Sequence, residues 1–234
     1  MDNDIRLAAY FAQVSEDLFS EPDVPLTFAR VVKRAVEVIP GVQHCGLTLR
    51  KRHTYAESVA SSDDTAARAD ALRGELKDGP CLDAAFEEQN FVVHDLRTEP
   101  RWPEWARRVA ELGPRSSTSI RLTSNHQSVG ALNLYGDQPG VFAGDQDIAH
   151  IFATYAAEAM TKARLVSGLR SAMDSRHTIG MAQGVLAVRY DITFERAFQL
   201  LHRHSNEHNV KLRDLAEQVL EERALPDARE AEAG

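Results

Sequence analysis

From Asp145 to Tyr190 the chain contains no proline, and apolar residues recur at Ile148, Phe152, Tyr155, Ala159, Val166 and Leu169. Proline removes a helical hydrogen bond and clashes with the preceding turn. Its absence over this length, with apolar residues three or four apart, predicts one long α-helix. That helix leaves the part of the chain before it and becomes the first helix of the part after it. Gly168, Gly180 and Gly184 each weaken it by about 1 kcal/mol relative to alanine, which predicts a break or bend along its length.

Two further helical runs come next, Phe194 to His208 and Leu212 to Leu220, joined by minimal connections. Ile179, Ala182, Val185 and Leu186 share one face of the first helix. Phe198, Leu201, Leu215 and Val219 are placed to complete a small core with them. Gly180 and Gly184 form a Gly-x-x-x-Gly pair that allows close backbone approach, with helix packing the favoured use. A three-helix unit of this size encloses no substrate pocket of its own. It presents a surface to a partner, which points to recognition rather than catalysis.

The N-terminal part alternates differently. Asp4 to Phe19 and Pro25 to Val36 carry apolar residues at helical spacing, and Pro40-Gly41 ends the second run. Cys45 to Arg50 and Tyr55 to Ser61 read as strands, followed by a helix over Thr65 to Leu76. Gly79-Pro80 then breaks the chain before a short helix at Leu82 to Glu88. Phe91 to His94 is a β-branched strand, and a loop holding Trp102 and Trp105 leads into a helix ending near Leu112. The clearest hairpin is Thr118 to Thr123 with Val129 to Tyr135, turning at Ser124-Asn125-His126-Gln127. This order lacks the βαβ repeat of a parallel sheet, so the fold class is α+β, an antiparallel sheet with helices packed on it.

Charge excludes a strong polyanion footprint. The chain carries a net charge of −8. Residues 165–223 hold eight Lys+Arg against eight Asp+Glu, so the helical end is neutral within an acidic chain. No apolar run reaches the length that spans a bilayer, and the start Met1-Asp2-Asn3-Asp4 lacks the basic and apolar character of a secretory signal. The two cysteines, Cys45 and Cys81, read as reduced thiols in a cytoplasmic protein. Cys81, beside Gly79-Pro80 and Asp83, is the one candidate for thiol chemistry. His94-Asp95 could form an acid–base pair, but adjacent strand residues point to opposite faces, so Asp95 is read as capping the following turn. His204 and His208 are an i, i+4 pair without a carboxylate or cysteine at ligand spacing, so no metal site is predicted. No nucleophile elbow, phosphate loop or dinucleotide fingerprint is present. No catalytic residue and no cofactor are assigned.

Two resemblances cover nearly the whole chain. Residues 1–160 resemble a GAF domain, a sensory α+β fold. The likeness rests on the first strand pair, Gly79-Pro80-Cys81-Leu82-Asp83-Ala84, His94-Asp95-Leu96, Arg101-Trp102-Pro103 and Gly130-Ala131-Leu132-Asn133-Leu134-Tyr135. Residues 165–223 resemble an ANTAR domain, a three-helix RNA-binding module of transcription antiterminators. The match there is denser: Ser175-Arg176, Ile179, Ala182-Gln183-Gly184-Val185-Leu186, Ala197-Phe198, Leu200-Leu201, Ser205, Asn209, Lys211-Leu212 and Asp214-Leu215-Ala216. The family often has lysine where this chain has Gln183, which removes one phosphate-pairing charge. Residues 224–234 read as a disordered acidic tail.

The resemblance implies a regulator that binds paired stem-loops in nascent transcripts and competes with a terminator hairpin. The RNA-facing candidates are Arg176, Gln183, Arg203, Asn209, Lys211 and Arg213. Arginine pairs phosphate or stacks on an unpaired base, and Gln and Asn offer donor and acceptor to base edges. Arg176 and Asn209 could equally be structural, Asn209 by capping the third helix. Recognition of paired loops implies a homodimer, with the 145–190 helix as its seam. Phe91, Trp102, Trp105, Ile120 and Tyr135 are the candidate walls of a pocket for a small-molecule or protein signal in the sensor domain, with plain core the competing reading. Two alternatives stand beside the regulator. One is an interaction module docking a kinase or response regulator through the C-terminal helices. The other is a cysteine-dependent GAF reductase.

Overall fold

Residues alternate between two chemistries along the central strands, and the alternation divides the first half of the molecule into two layers. The computed structural model describes residues 2–20, 23–52, 55–77, 79–80, 90–144, 146–223 and 225. The chain separates into two units, residues 1–167 and 168–234.

In the first unit, helices α1 (Asp2–Phe19) and α2 (Val24–Val38) precede strands β1 (His44–Arg52) and β2 (Tyr55–Ser61). Next come helix α3 (Asp64–Leu76), strand β3 (Phe91–Val93), helix α4 (Pro103–Ala110), and strands β4 (Ser116–Ser124) and β5 (Gln127–Gly136). The five strands form one antiparallel sheet in the order β2-β1-β5-β4-β3. The predicted short helix at Leu82–Glu88, Cys81 and most of the acidic tail lie outside the described residues.

Successive strand residues point to opposite faces. Cys45, Leu47 and Leu49 of β1, Ile120 and Leu122 of β4, and Leu132 and Leu134 of β5 share one face. Against them pack Phe11, Val14 and Leu18 of α1, Phe28, Val31, Val32 and Ala35 of α2, and residues 149–160 of the long helix described below. The intervening residues Thr48, Ser119 and Asn133 are buried too, but they are polar. On their side of the sheet a second core gathers Ala69 and Leu72 of α3, Trp105 and Val109 of α4, Val93, Leu96, Trp102 and Tyr135. Asp23 and Asp63 start α2 and α3 by accepting the backbone N–H of Leu26 and Ala66.

The proline-free stretch forms a single helix, α5 (Asp147–Tyr190), with no interruption at Gly168, Gly180 or Gly184. The predicted break does not occur. Each glycine lowers helix propensity, but none removes a backbone hydrogen bond, so the helix continues through all three. Ile148, Phe152, Tyr155 and Ala159 pack into the first core. That part of the helix, whose spacing suggested a dimer seam, is used within the unit itself.

In the second unit the end of α5 is followed by α6 (Phe194–Glu207) and α7 (Leu212–Glu222). Ala182, Leu186, Ala187, Ala197, Leu201, Leu215, Ala216 and Val219 are its buried core. Phe198 stands at the edge instead, 36% exposed. The buried face of α6 is Ala197, Leu201 and Ser205, one turn apart, and Phe198 is rotated off it by one residue.

The turns of this unit explain two residues that the sequence left ambiguous. The N–H of Ile192 reaches the carbonyl of Ala187, with Asp191 at a φ of 49°. The N–H of Val210 likewise reaches Ser205, and Asn209, at a φ of 52°, donates to Asn206. Both are left-handed helix ends of the Schellman type. Asn209 therefore terminates α6 and does not cap the third helix, whose N-cap position is Lys211. Replacing Asn209 by alanine is expected to cost about 1 kcal/mol, because a Cβ without a local hydrogen-bonding group is disfavoured there, whereas Asn209→Gly is expected to be neutral or stabilising. Thermal unfolding followed by far-UV circular dichroism separates the two.

Candidate functional site

The sensor-side interior is built around a buried charge pair. Asp70 and Arg73 sit one turn apart on α3 and are both buried. The Arg73 guanidinium donates to Thr48 Oγ1 at 3.0 Å and to Ser58 Oγ at 2.5 Å. Ser58 in turn donates to Asp70 Oδ2 at 2.9 Å, so its hydroxyl links the two charges. The Asn133 amide donates to Thr48 Oγ1 at 3.0 Å and to Asp70 Oδ1 at 3.4 Å, and Ser119 donates to Asn133 Oδ1 at 3.2 Å. Burial raises the Asp70 pKa, while Arg73, Ser58 and Asn133 pull it down. Gly46 makes room for this carboxylate: a Cβ there would stand 2.7 Å from Asp70 Oδ2. The network escaped the sequence reading. Its signal is an Asp-x-x-Arg pair set among Ala66, Ala69 and Leu72, on the face of α3 that must be buried.

Of the five aromatic and apolar candidates, four come together and one does not. Trp102, Trp105 and Tyr135 are buried in the second core, with Phe91 packed against it. The rings of Phe91 and Trp102 meet edge to face with centroids 5.5 Å apart. Ile120 lies on the opposite face of the sheet, paired in register with Leu132 in the first core. The Trp105 indole N–H and the Ser117 hydroxyl are buried without a hydrogen-bond partner among the described residues. Asp95 caps the turn after β3 through the N–H of Arg97 at 3.0 Å, and Arg115 at 2.8 Å holds its pKa below the usual range. Cys45 is fully buried, and desolvation pushes its thiol well above the ordinary range, the reverse of what a reactive thiolate needs.

In the second unit the six polar candidates divide. Lys211 and Arg213 line one groove of about 460 Å³ together with Ser171, Ser175, Asp214 and Glu217. Arg213 pairs with Glu217 at 2.9 Å, and that hydrogen bond raises its pKa. Arg176 and Arg203 are exposed. Gln183 is half-buried, and its amide donates to the Phe194 carbonyl at 3.4 Å. The imidazoles of His204 and His208 stack at 4.0 Å, and His208 Nδ1 lies 3.0 Å from the His204 carbonyl oxygen.

A second groove, of about 870 Å³, was not anticipated. Met181, Gly184, Val185, Val188 and Arg189 of α5, Phe194 of α6, Leu220 of α7 and Arg223 line it. Its signal in the sequence was weak: Val188 and Phe194 read as ordinary helical positions until the turn at Asp191 places them on one side.

No group of three His, Cys, Asp or Glu side chains able to hold a metal occurs among the described residues. No helix among them is long and apolar enough to cross a membrane.

Comparison with known proteins adds two family models. A GAF domain matches residues 22–161 and an ANTAR domain matches residues 167–220. No curated protein has a sequence that matches this chain. Among solved structures, the chain is similar to one described as a GAF sensor protein from Burkholderia vietnamiensis. That likeness has 18% identity and a TM-score of 0.53, over 67% of this chain and 95% of the other. It is also similar to the GAF domain of a phosphoenolpyruvate-protein phosphotransferase from Acinetobacter, at 13% identity and a TM-score of 0.50, over 68% and 94% of the two chains. The reduced fRMsr of Staphylococcus aureus matches at 10% identity and a TM-score of 0.50, over 64% of this chain and 91% of that one. At these identities the likeness shows the fold alone.

Proposed function

Because the chain belongs to the GAF family and carries an ANTAR domain behind its sensor fold, we propose that it is a signal-responsive regulator that binds nascent RNA as a dimer and acts by transcription antitermination. The observation that carries the reading is the second unit itself. Its buried residues are consumed in holding three helices together, and the outside carries polar recognition chemistry. Lys211 and Arg213 meet Ser171 and Ser175 in one groove, and Arg176 and Arg203 are exposed on α5 and α6.

So few cations bind weakly as a single copy, and pairing two copies on adjacent stem-loops raises affinity through effective concentration. Leu169 and Met173 support a dimer seam on α5. They stand one turn apart on the helix surface, 58% and 70% exposed. The sensor fold takes the signal in this reading, and no bond is made or broken. Cys45 supports a non-enzymatic role, since its buried, un-ionised thiol is poorly suited to reduction chemistry.

The test is retention of a labelled RNA pool carrying two adjacent stem-loops with randomised loop bases. Pools with one stem-loop, and with duplex lacking loops, are compared at two salt concentrations. The paired stem-loops are expected to be enriched. The double variant Arg203→Ala, Lys211→Ala is expected to weaken binding and flatten the log–log salt slope by roughly 1.4–1.8, two contacts at about 0.7 each on single strands or about 0.9 each on duplex. Retention no better than for the loopless duplex at either salt overturns the RNA reading. A monomer by light scattering with the enriched RNA bound overturns the dimer.

A further inference from the structure

The larger groove of the second unit has a composition that internal packing does not explain. Val188 is 86% exposed and Phe194 64% exposed, although both lie beside a buried core that could have received them. Phe194 is the first residue of α6, where Thr193 already supplies the N-cap by accepting the N–H of Arg196. The ring therefore has no part in starting the helix. Gly184 lies opposite. A Cβ built on it would meet only the Phe194 ring, at 4.0 Å, an ordinary contact. One turn earlier, a Cβ on Gly180 would meet nothing within 4 Å. Two glycines within a helix each lower its stability by about 1 kcal/mol relative to alanine, and neither is needed for packing within the unit. At Gly184 the missing Cβ leaves depth in front of an exposed aromatic ring.

The charges of this groove also differ from those of its neighbour. The groove of Lys211 and Arg213 contains two carboxylates, Asp214 and Glu217, one of them paired to Arg213. The charged residues lining the larger groove are Arg189 and Arg223, both cationic. Gln183 stands beside it, its amide on the Phe194 carbonyl. An apolar floor, one exposed aromatic face, two guanidinium groups and an amide form the set that recognises an unpaired base: the ring stacks on it, arginine pairs the flanking phosphate, and the amide reads a polar edge. An apolar protein segment would fill the floor but make no use of the guanidinium groups at its rim. A base carried on a phosphate backbone uses both, and is the occupant that fits.

Resting on the RNA reading above, we infer that this groove receives an unstacked loop base of the bound RNA, with Phe194 as its stacking platform. Lys211 and Arg213 then serve a different contact, the backbone of the stem. Base identity is read at the groove between α5 and α6, and register is held by the polar groove.

The experiment uses the full chain with the RNA enriched from the two-stem-loop pool, and the same RNA with its loop bases made abasic. Phe194→Ala is expected to weaken binding roughly 10- to 100-fold, the range seen when one base–aromatic stack is removed, with the salt slope unchanged. Phe194→Trp is expected to retain binding, because a larger ring still stacks. The abasic RNA is expected to bind the wild type weakly and to lose nothing further with Phe194→Ala. Circular dichroism checks that the exposed substitution leaves the helices intact. If Phe194→Ala binds like the wild type while Arg203→Ala, Lys211→Ala does not, the groove inference falls and the RNA reading stands. If Phe194→Ala changes only the oligomeric state in light scattering, the groove is a protein interface and the inference is overturned. If the wild type retains no RNA from the pool, both fall together.

Discussion

Asp70→Ala is expected to destabilise the sensor unit by about 3–5 kcal/mol, more than most core truncations of similar size. The cost does not come from lost apolar contact. Removing Asp70 takes the acceptor away from the Ser58 hydroxyl and the Asn133 amide, inside a network that also holds the Arg73 guanidinium between Thr48 and Ser58. Converting both residues to apolar ones, Asp70→Leu with Arg73→Met, is expected to cost less, because it also removes the buried Arg73 charge. The readout is direct. The chain has two tryptophans, Trp102 and Trp105, and both lie in the second core beside α3, so urea unfolding followed by their fluorescence reports this unit.

The pH dependence adds a second check. Burial raises the folded pKa of Asp70 above its ordinary value of 3.8. A carboxyl shifted upward contributes stability that is fully present below its unfolded value and is lost as pH rises through the folded one. The difference between wild type and Asp70→Ala should therefore narrow as pH climbs from 3.8 through the folded pKa. A difference that does not change with pH, or a loss below about 1 kcal/mol, would mean that the network is solvated and contributes little.

The same network marks the limit of what the sequence made legible. Strand alternation was legible in Cys45, Leu47 and Leu49, and again in Leu132 and Leu134, because one face of an antiparallel sheet buries apolar residues at a period of two. The second face was not, since Thr48, Ser119 and Asn133 look like solvent-facing residues until α3 is laid over them. Local periodicity cannot reveal that a polar face is covered; only tertiary contact does. The same limit separated Ile120 from Trp102, Trp105 and Tyr135. All are apolar, and the strand pairing puts Ile120 opposite Leu132 on one face and Tyr135 opposite Ser117 on the other, where Trp102 and Trp105 at the start of α4 pack.

In the helical unit the core residues Ala182, Leu186, Leu201, Leu215 and Val219 are legible from spacing alone. The roles of Asn209 and Phe194 are not, because they depend on where α6 begins and ends. An asparagine two residues before a lysine reads equally as a cap for the next helix or an end for the previous one. The left-handed φ at Asn209 decides it.

Leu201→Ala is expected to unfold the C-terminal unit and abolish RNA retention while leaving the tryptophan-monitored transition in place. Four of the eight core residues here are alanines, so the apolar volume rests on Leu186, Leu201, Leu215 and Val219. Truncating a fully buried leucine costs about 2–5 kcal/mol. A core of this size rarely supplies more than about 3–5 kcal/mol in total, so one such change removes most or all of it. Phe198→Ala, at the edge of the same helix, should cost under about 1 kcal/mol and serves as the control for a lost large side chain. Hydrogen exchange resolves the outcome by segment. Protection should vanish across residues 194–222 in Leu201→Ala and persist across the strands. If exchange rises across β1, β4 and β5 as well, the two units share one cooperative transition, and the sensor fold draws part of its stability from the helices C-terminal to it. If protection in α6 and α7 survives, the three helices have a source of stability beyond the eight buried residues, and a second copy of the chain packed along α5 would be the first place to look for it.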